Sequence, residues 1–415
     1  MLEGIRVADF SRVFAVPACS QILADLGADV IKLEEPGRGD EARYYGVNAE
    51  ELKACGGVSP SFHAFNRNKR SVAVDLSGDA GRQAALELVR SSDVLLHNFR
   101  VGAMDKFGLG YEAVKAVNPG IVYGEFSSYG PTGPLSGIGA NDLALQAHSG
   151  LLSLTGEPDR DPVRVGTAAI DLHAGVALSS AVLAALFHRE RTGEGQYVET
   201  SLLRSSAHLM SYFYSEYWMT GRSRERMGTA NHLSVPNQVF PTADGSVVII
   251  APSDQMWQRC ARALDPDSLD RPEFATILDR QKNRASLVSA LSAVTRQRTG
   301  DDLVRVLGDA KVNVAKVNSV AEAADDPQLA AIGGVIGVGP EATKSVAPPF
   351  FLSAAGDLTA GAHNTGARSA PQLGAHTAEV FAEIGMPADL YGQLAEQGAF
   401  GTHAGASGEA ASPAA

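Results

Sequence analysis

Short apolar runs alternate with amphipathic helical stretches through the first third of the chain. Residues 5–10, 29–33, 71–76, 93–98 and 121–126 are brief, rich in Val, Ile, Leu and Phe, and bounded by polar or glycine positions, which predicts buried strands. Between them, 18–26 (closed by Gly27) and 81–90 carry helical spacing. Strands alternating with helices predict a doubly wound, Rossmann-like parallel sheet, whose ligands bind at the C-terminal strand ends. A long helical pattern then runs from Asp171 to about Arg191. Its small residues Ala174, Gly175, Ser179, Ser180 and Ala184 predict close packing, and 196–202 reads as another strand.

The character changes near Arg222, where a basic stretch (Arg222, Arg224, Arg226) precedes Pro236 and the turn Ala243-Asp244-Gly245. The fold class expected is α/β: a large Rossmann-like domain made from N- and C-terminal parts, plus a smaller inserted α+β domain. The boundaries are 1–200 for the N-terminal part of the large domain, 201–224 for a linker and 225–325 for the small domain. Residues 326–400 form a return linker and the C-terminal part of the large domain, reached through a strand at 333–338. A Gly-, Ala- and Ser-rich tail at 401–415 is expected to be disordered. A chain of 415 residues exceeds what one core usually holds, which agrees with two domains.

Composition narrows the chemistry. With 35 basic and 47 acidic side chains the net charge is −12, so a broad nucleic-acid surface is disfavoured and a polyanionic ligand must be met by a few placed cations. Cys19, Cys55 and Cys260 are widely spaced, with no histidine at zinc-ligand spacing, which predicts neither disulfides nor a metal site and an intracellular, cytoplasmic chain. No signal peptide and no membrane-spanning segment are expected. There is no GxxxxGK[ST], no GxGxxG after the first strand, no GxSxG and no HExxH. Nucleotide-loop, serine-hydrolase and zinc-hydrolase chemistry all lose ground.

Several segments, in order, carry a resemblance. They are Leu2-Glu3-Gly4-Ile5-Arg6-Val7, Leu26-Gly27-Ala28-Asp29-Val30-Ile31-Lys32, Asn66-Arg67-Asn68-Lys69-Arg70-Ser71, Asn98-Phe99-Arg100, Tyr129-Gly130-Pro131-Thr132-Gly133-Pro134, Arg191-Thr192-Gly193-Glu194-Gly195-Gln196 and Pro371-Gln372-Leu373-Gly374-Ala375-His376-Thr377. Over about residues 1–398 the chain resembles the class III CoA-transferases, which include formyl-CoA transferase, carnitine CoA-transferase and the α-methylacyl-CoA racemases. The resemblance implies a nucleophilic aspartate at Asp171, working through an aspartyl anhydride and an aspartyl-CoA thioester. A carboxylate at a helix N-terminus suits that role, since the dipole favours the anion. Spacing alone would equally make Asp171 an ordinary N-cap.

The resemblance also implies coenzyme A contacts at Arg43, Asp75, Leu76, Asn98, Phe99, Arg100 and Lys106, with Lys69 and Arg70 as weaker candidates and solvated surface charge as the alternative for the lysines and Arg70. Phe14, Asn141 and His173 are assigned to the substrate pocket. CoA or acyl-CoA is a substrate, no cofactor is held permanently, and the partner is a second copy in an interlocked homodimer. The racemases' catalytic histidine aligns with Asn141, which cannot exchange a proton near neutral pH, so a racemase is the alternative and a non-catalytic CoA-binding protein the second. Phe14 and Glu35 depart from the formyl-CoA transferase pattern, and no glycine-rich lid lies between 221 and 240, so oxalate and formate are disfavoured. The segments at 162–166 and 235–238 resemble the branch acting on succinyl-CoA and small dicarboxylates. Arg164 or the Arg222–Arg226 cluster could meet a distal carboxylate, and surface charge accounts for them equally well.

Overall fold

The structure, a computed structural model, describes residues 1–353 and 367–401; the tail expected to be disordered lies outside the described residues from 402 onward. The chain forms two compact units. The first combines Met1–Ser149, Gly166–Tyr214 and Ala330–Ala415, and the second Gly150–Val165 with Ser215–Leu329. The expected boundaries differ at Gly150–Val165, which belongs to the second unit.

In the first unit the strands are β1 (Arg6–Phe10), β2 (Asp29–Glu34), β3 (Arg70–Ala73), β4 (Val94–His97), β5 (Val122–Ser127) and β6 (Gln196–Ser201). They pair in the order β3-β2-β1-β4-β5-β6, all parallel. The order reverses between β1 and β4, whose diverging C-terminal loops leave a crevice for a ligand. Val7, Ala8, Ile31, Val94, Leu95 and Val122 are fully buried, as expected of strands covered on both faces.

Helix α1 (Ala15–Asp25) begins three residues before the expected 18. Pro17 is tolerated there because it sits in the first turn, whose N–H groups have no partner within the helix. β3 stops short of the expected 76, and Asp75 donates its N–H to Ala399 instead. Helix α2 (Asp79–Arg90) covers one face. The two-turn helix α3 (Asp142–His148) precedes α4 (Ala169–Thr192), which buries Ile170, Ala174, Leu178 and Val182 at intervals of one turn. A Cβ on Gly175 would run into the Ala15 carbonyl and meet the Ala18 Cβ at 3.0 Å, so glycine is what lets α4 lie against α1. By length and composition α4 is apolar enough to cross a membrane, against expectation. In the fold it packs on α1 and on β5 and β6.

The expected linker at 201–224 is largely helical. α5 (Leu202–Leu209) buries Leu202, Ser205 and Ser206, and a further helix follows at Ser211–Thr220. In the second unit, β7 (Asn237–Pro241), β8 (Ser246–Ile250) and β9 (Asn313–Lys316) form a three-stranded antiparallel sheet. Helices α6 (Asp254–Leu264), α7 (Arg284–Thr295) and α8 (Gly300–Asp309) close its core around Trp257, Phe240 and Leu291. Beyond it, β10 (Val335–Val338) pairs with β11 (Thr343–Val346) as a separate antiparallel ribbon, outside the six-stranded sheet. Helices α9 (Thr377–Glu383) and α10 (Ala388–Glu396) then place Phe381 and Leu394 in the first unit's core.

Candidate active site

A cavity of about 210 Å³ opens at the C-terminal ends of β1, β4, β5 and β6, where the strand order reverses. The loop after β1 forms one wall, and Ser11, Arg12 and Val13 of its turn are each tied to a neighbouring side chain. Asp9 accepts the Ser11 N–H at 3.1 Å. Asn98 accepts the Arg12 N–H at 2.9 Å and donates to the Arg12 carbonyl at 2.8 Å. Asp40 accepts the Val13 N–H at 3.0 Å. Lys32, wholly buried, donates to the Ser11 carbonyl at 2.6 Å and pairs with Asp40 at 2.9 Å. Burial would raise Asp40, but Lys32 and the N–H groups of Ala42 and Val13 reverse this and hold its carboxyl below the usual range. These ties keep Val13, a β-branched residue, at φ +69°, where such side chains are rarely found.

The opposite wall comes from the turn after β5 and the start of α4. Ser128 donates to the Ala140 carbonyl at 3.0 Å and accepts its N–H at 2.8 Å, closing the loop that carries Ser136 to Gly139. Asn141 then caps α3 through the Ala144 N–H at 3.1 Å. Asp171 lies in the first turn of α4 and lines the cavity, yet it is not the helix cap. That role falls to Asp142, whose Oδ2 accepts the N–H groups of Ile170 at 2.8 Å and Asp171 at 3.1 Å. Asp142 Oδ1 is held by Gln146 at 2.5 Å.

The Asp171 carboxyl therefore accepts no hydrogen bond among the described residues. Burial first, and the charge of Asp142 second, push its pKa up to about 7. This corrects the expectation that the helix dipole keeps it firmly ionised: the helix's free N–H groups are already satisfied by Asp142. Apolar surface from Phe14, Phe99, Phe126, Ile138 and Leu202 lines the rest of the cavity, together with two cations, Arg12 and Arg100.

A family model described as CoA-transferase family III matches residues 2–377. The chain belongs to that family. A succinate–glutarate CoA-transferase from Agrobacterium fabrum is 34% identical over 388 residues, covering 92% of this chain and 95% of the relative. An acetyl-CoA:oxalate CoA-transferase from Acetobacter aceti is 35% identical over 331 residues, covering 79% and 84%. The crystal structure of a CAIB/BAIF family protein from Brucella suis matches with a TM-score of 0.81 at 34% identity, covering 92% of this chain and 99% of the other.

In this CoA-transferase, Asp171, Phe14, Asn98, Phe99, Arg100 and Asn141 line one cavity. The amide of Asn98, however, is spent on both backbone groups of Arg12 rather than free for a ligand. His173 does not line the cavity: its Nδ1 lies 2.6 Å from the Ser205 hydroxyl and its Nε2 3.3 Å from His208, with the two rings stacked. Arg43 is buried in a two-pronged pair with Glu34 at 2.8 and 2.7 Å, donates to the Pro371 carbonyl at 3.1 Å and covers the Phe62 ring at 3.9 Å. Lys69 is wholly buried against Asp9, Ser20, Asn66 and the Pro17 carbonyl. Arg70 binds Asp29, Glu379 and Glu383.

Asp75 turns back onto the Ser77 N–H, Leu76 packs against the sheet's core, and Lys106 is exposed; none of them lines the cavity. In the second unit, Arg224 pairs with Glu216 and Arg164 is exposed. Sequence reading missed Arg12, Val13 and Asp142. A cation directly after a buried strand was the available signal for Arg12, and Asn-Asp ahead of a helical pattern the signal for a cap.

Proposed function

We propose that this enzyme transfers CoA from the thioester of a small dicarboxylic acid, succinyl-CoA or a close analogue, to a second carboxylic acid, through covalent chemistry at Asp171. The observation that carries this is the Asp171 carboxyl: partly buried, without a hydrogen-bond donor among the described residues, and lining a cavity of about 210 Å³ together with two guanidinium groups. A carboxylate without hydrogen-bond donors keeps its lone pairs for attack, and a pKa near the working pH leaves a useful fraction ionised. Relatives named for succinate and glutarate support the acid class.

The steps balance without an added reagent. The Asp171 carboxylate attacks the thioester carbonyl and the C–S bond breaks, giving an aspartyl–acyl anhydride and CoA thiolate. Thiolate attacks the Asp171 carbonyl of the anhydride, releasing the donor acid and leaving an aspartyl-CoA thioester. The acceptor carboxylate attacks that thioester, thiolate leaves, and a second anhydride forms. Thiolate then attacks the acceptor's carbonyl, giving the new acyl-CoA and freeing Asp171. One activated acyl bond, thioester or anhydride, is kept at every stage, so no nucleotide triphosphate is consumed. A racemase reading is weakened by Asn141, whose oxygen is committed to capping α3, and by His173, which faces Ser205 and His208.

CoA itself would meet Arg100, which lines the cavity and is exposed. A homodimer, interlocked as in the family resembled, is proposed as well. The helix Ser211–Thr220 buries none of its residues and leaves Trp218 at 74% and Met219 at 83% exposed, a surface that a second copy would cover. The test of the activity is to incubate the enzyme with succinyl-CoA and a panel of acids and follow new acyl-CoA by chromatography. Transfer that falls at least about 1000-fold in Asp171→Asn is expected. Exchange of the α-proton with solvent, without transfer, would contradict the proposal.

A further inference from the structure

Arg12 is the one charged residue on the pinned loop after β1 that lines the cavity. Among the described residues its guanidinium makes no ion pair and no side-chain hydrogen bond; its one contact of note is with the Phe99 ring, 5.2 Å away. Yet its backbone is clamped on both sides by Asn98, its neighbour Val13 is kept in the left-handed region by Asp40, and Ser11 is held by Asp9 and Lys32. A loop fixed this thoroughly, around a side chain left without a partner, is a preorganised cation.

The cavity's lining says what that cation meets. Asp171, the carboxyl read as the acyl acceptor, lines the same cavity as Arg12, among the apolar side chains of Phe14, Phe126, Ile138 and Leu202. A cation that shares an apolar cavity with the reacting carboxyl is placed for the acid rather than for the phosphates of CoA. The methylene body of that acid is matched by Phe14, Phe99, Phe126 and Leu202. With Arg100 exposed and assigned to CoA, Arg12 is the cavity cation that remains for the free carboxylate of a diacid thioester. Arginine's planar fork suits a carboxylate.

We infer that Arg12 is the specificity-determining residue that binds the distal carboxylate of the dicarboxylic acid, the end that does not react. This rests on the reading of Asp171 as the site of acyl chemistry. Arg12 thereby selects diacids over monoacids of equal length.

The test is equilibrium binding of glutarate and of pentanoate to the full-length enzyme saturated with free CoA, in wild type, Arg12→Leu and Arg12→Lys, with thermal melts confirming the fold. Wild type is expected to bind glutarate 10- to 100-fold more tightly than pentanoate. Arg12→Leu should erase that ratio, and Arg12→Lys, which keeps charge but not the fork, should restore part of it. A ratio preserved in Arg12→Leu, or absent in wild type, overturns the inference. So does an Arg12→Leu enzyme that loses affinity for CoA while both acids weaken equally, because the guanidinium would then serve the phosphates. Turnover of succinyl-CoA is measured beside it: no transfer with the diacid preference intact sinks the proposed activity alone, and transfer without the preference sinks Arg12's role alone.

Discussion

Asp142 caps the helix that carries Asp171: its Oδ2 takes the N–H groups of Ile170 at 2.8 Å and of Asp171 itself at 3.1 Å. One carboxylate satisfies the helix terminus, and the other is left with a free carboxyl facing the cavity. The same arrangement sets a like charge beside Asp171, which adds to burial in raising its pKa to about 7.

Replacing Asp142 separates these two roles. Asp142→Asn keeps an acceptor for the helix N–H groups and removes the charge, so the acid limb of the transfer rate should move to lower pH with little change in stability. Asp142→Ala removes both and should cost about 1–3 kcal/mol in urea denaturation, because it orphans buried N–H groups. Equal pH profiles for Asp142→Asn and wild type would contradict the coupling.

The free enzyme's kcat/KM should rise with pH and level off above about 7, where Asp171 is the anion, falling tenfold per unit on the acid side. Stability should move the other way. A carboxyl whose pKa is raised on folding contributes most below its unfolded value near 3.8, and that contribution is lost as pH rises through about 7. Asp171→Asn should therefore melt higher than wild type at pH 8, by up to about 4 kcal/mol at 1.36 kcal/mol per unit, with the gap closing toward pH 4. Calorimetry at the two pH values checks the sign.

Gly175→Ala would ordinarily favour a helix. Here the added methyl meets the Ala15 carbonyl, directly after the pinned loop, and the variant should lose about 1–3 kcal/mol by overpacking and lose activity with it. Chemical denaturation alongside the transfer assay checks both.

Arg43 and Lys69 are expected to act on the fold. Arg43→Met or Lys69→Met leaves Glu34 or Asp9 buried without its counter-charge, at a cost of about 3–5 kcal/mol. Affinity for CoA, measured by calorimetry under conditions where each variant is folded, should change by less than about threefold. A large loss of CoA affinity at unchanged stability would instead return these cations to the ligand.

The strands at 5–10, 29–33, 93–98 and 121–126 were legible because both faces of the sheet are covered, so the apolar runs are continuous. Asp171 was legible as the head of a long helix. What the sequence hides is the destination of a charge. Arg43 finds Glu34 nine residues away and Lys69 finds Asp9 sixty residues away, and nothing local distinguishes such cations from phosphate ligands. Asp142 escaped for the same reason, since its partners lie 28 and 29 residues on. The stretch at 202–220 read as a linker because Ser, His and Tyr dilute its apolar face, and tertiary packing of Leu202 and Ser206 makes the first part helical. His173, two residues past Asp171, seemed close to the chemistry, but a step of two on a helix turns the side chain well away from its neighbour's face.

The most direct test of the covalent reading is intact-protein mass spectrometry, with peptide mapping, after mixing the enzyme with succinyl-CoA and quenching with hydroxylamine. The account predicts a hydroxamate on Asp171, formed from the aspartyl-CoA thioester or anhydride and absent from Asp171→Ala. An enzyme that transfers CoA while Asp171 stays unmodified under trapping, or whose adduct maps to another residue, would contradict it.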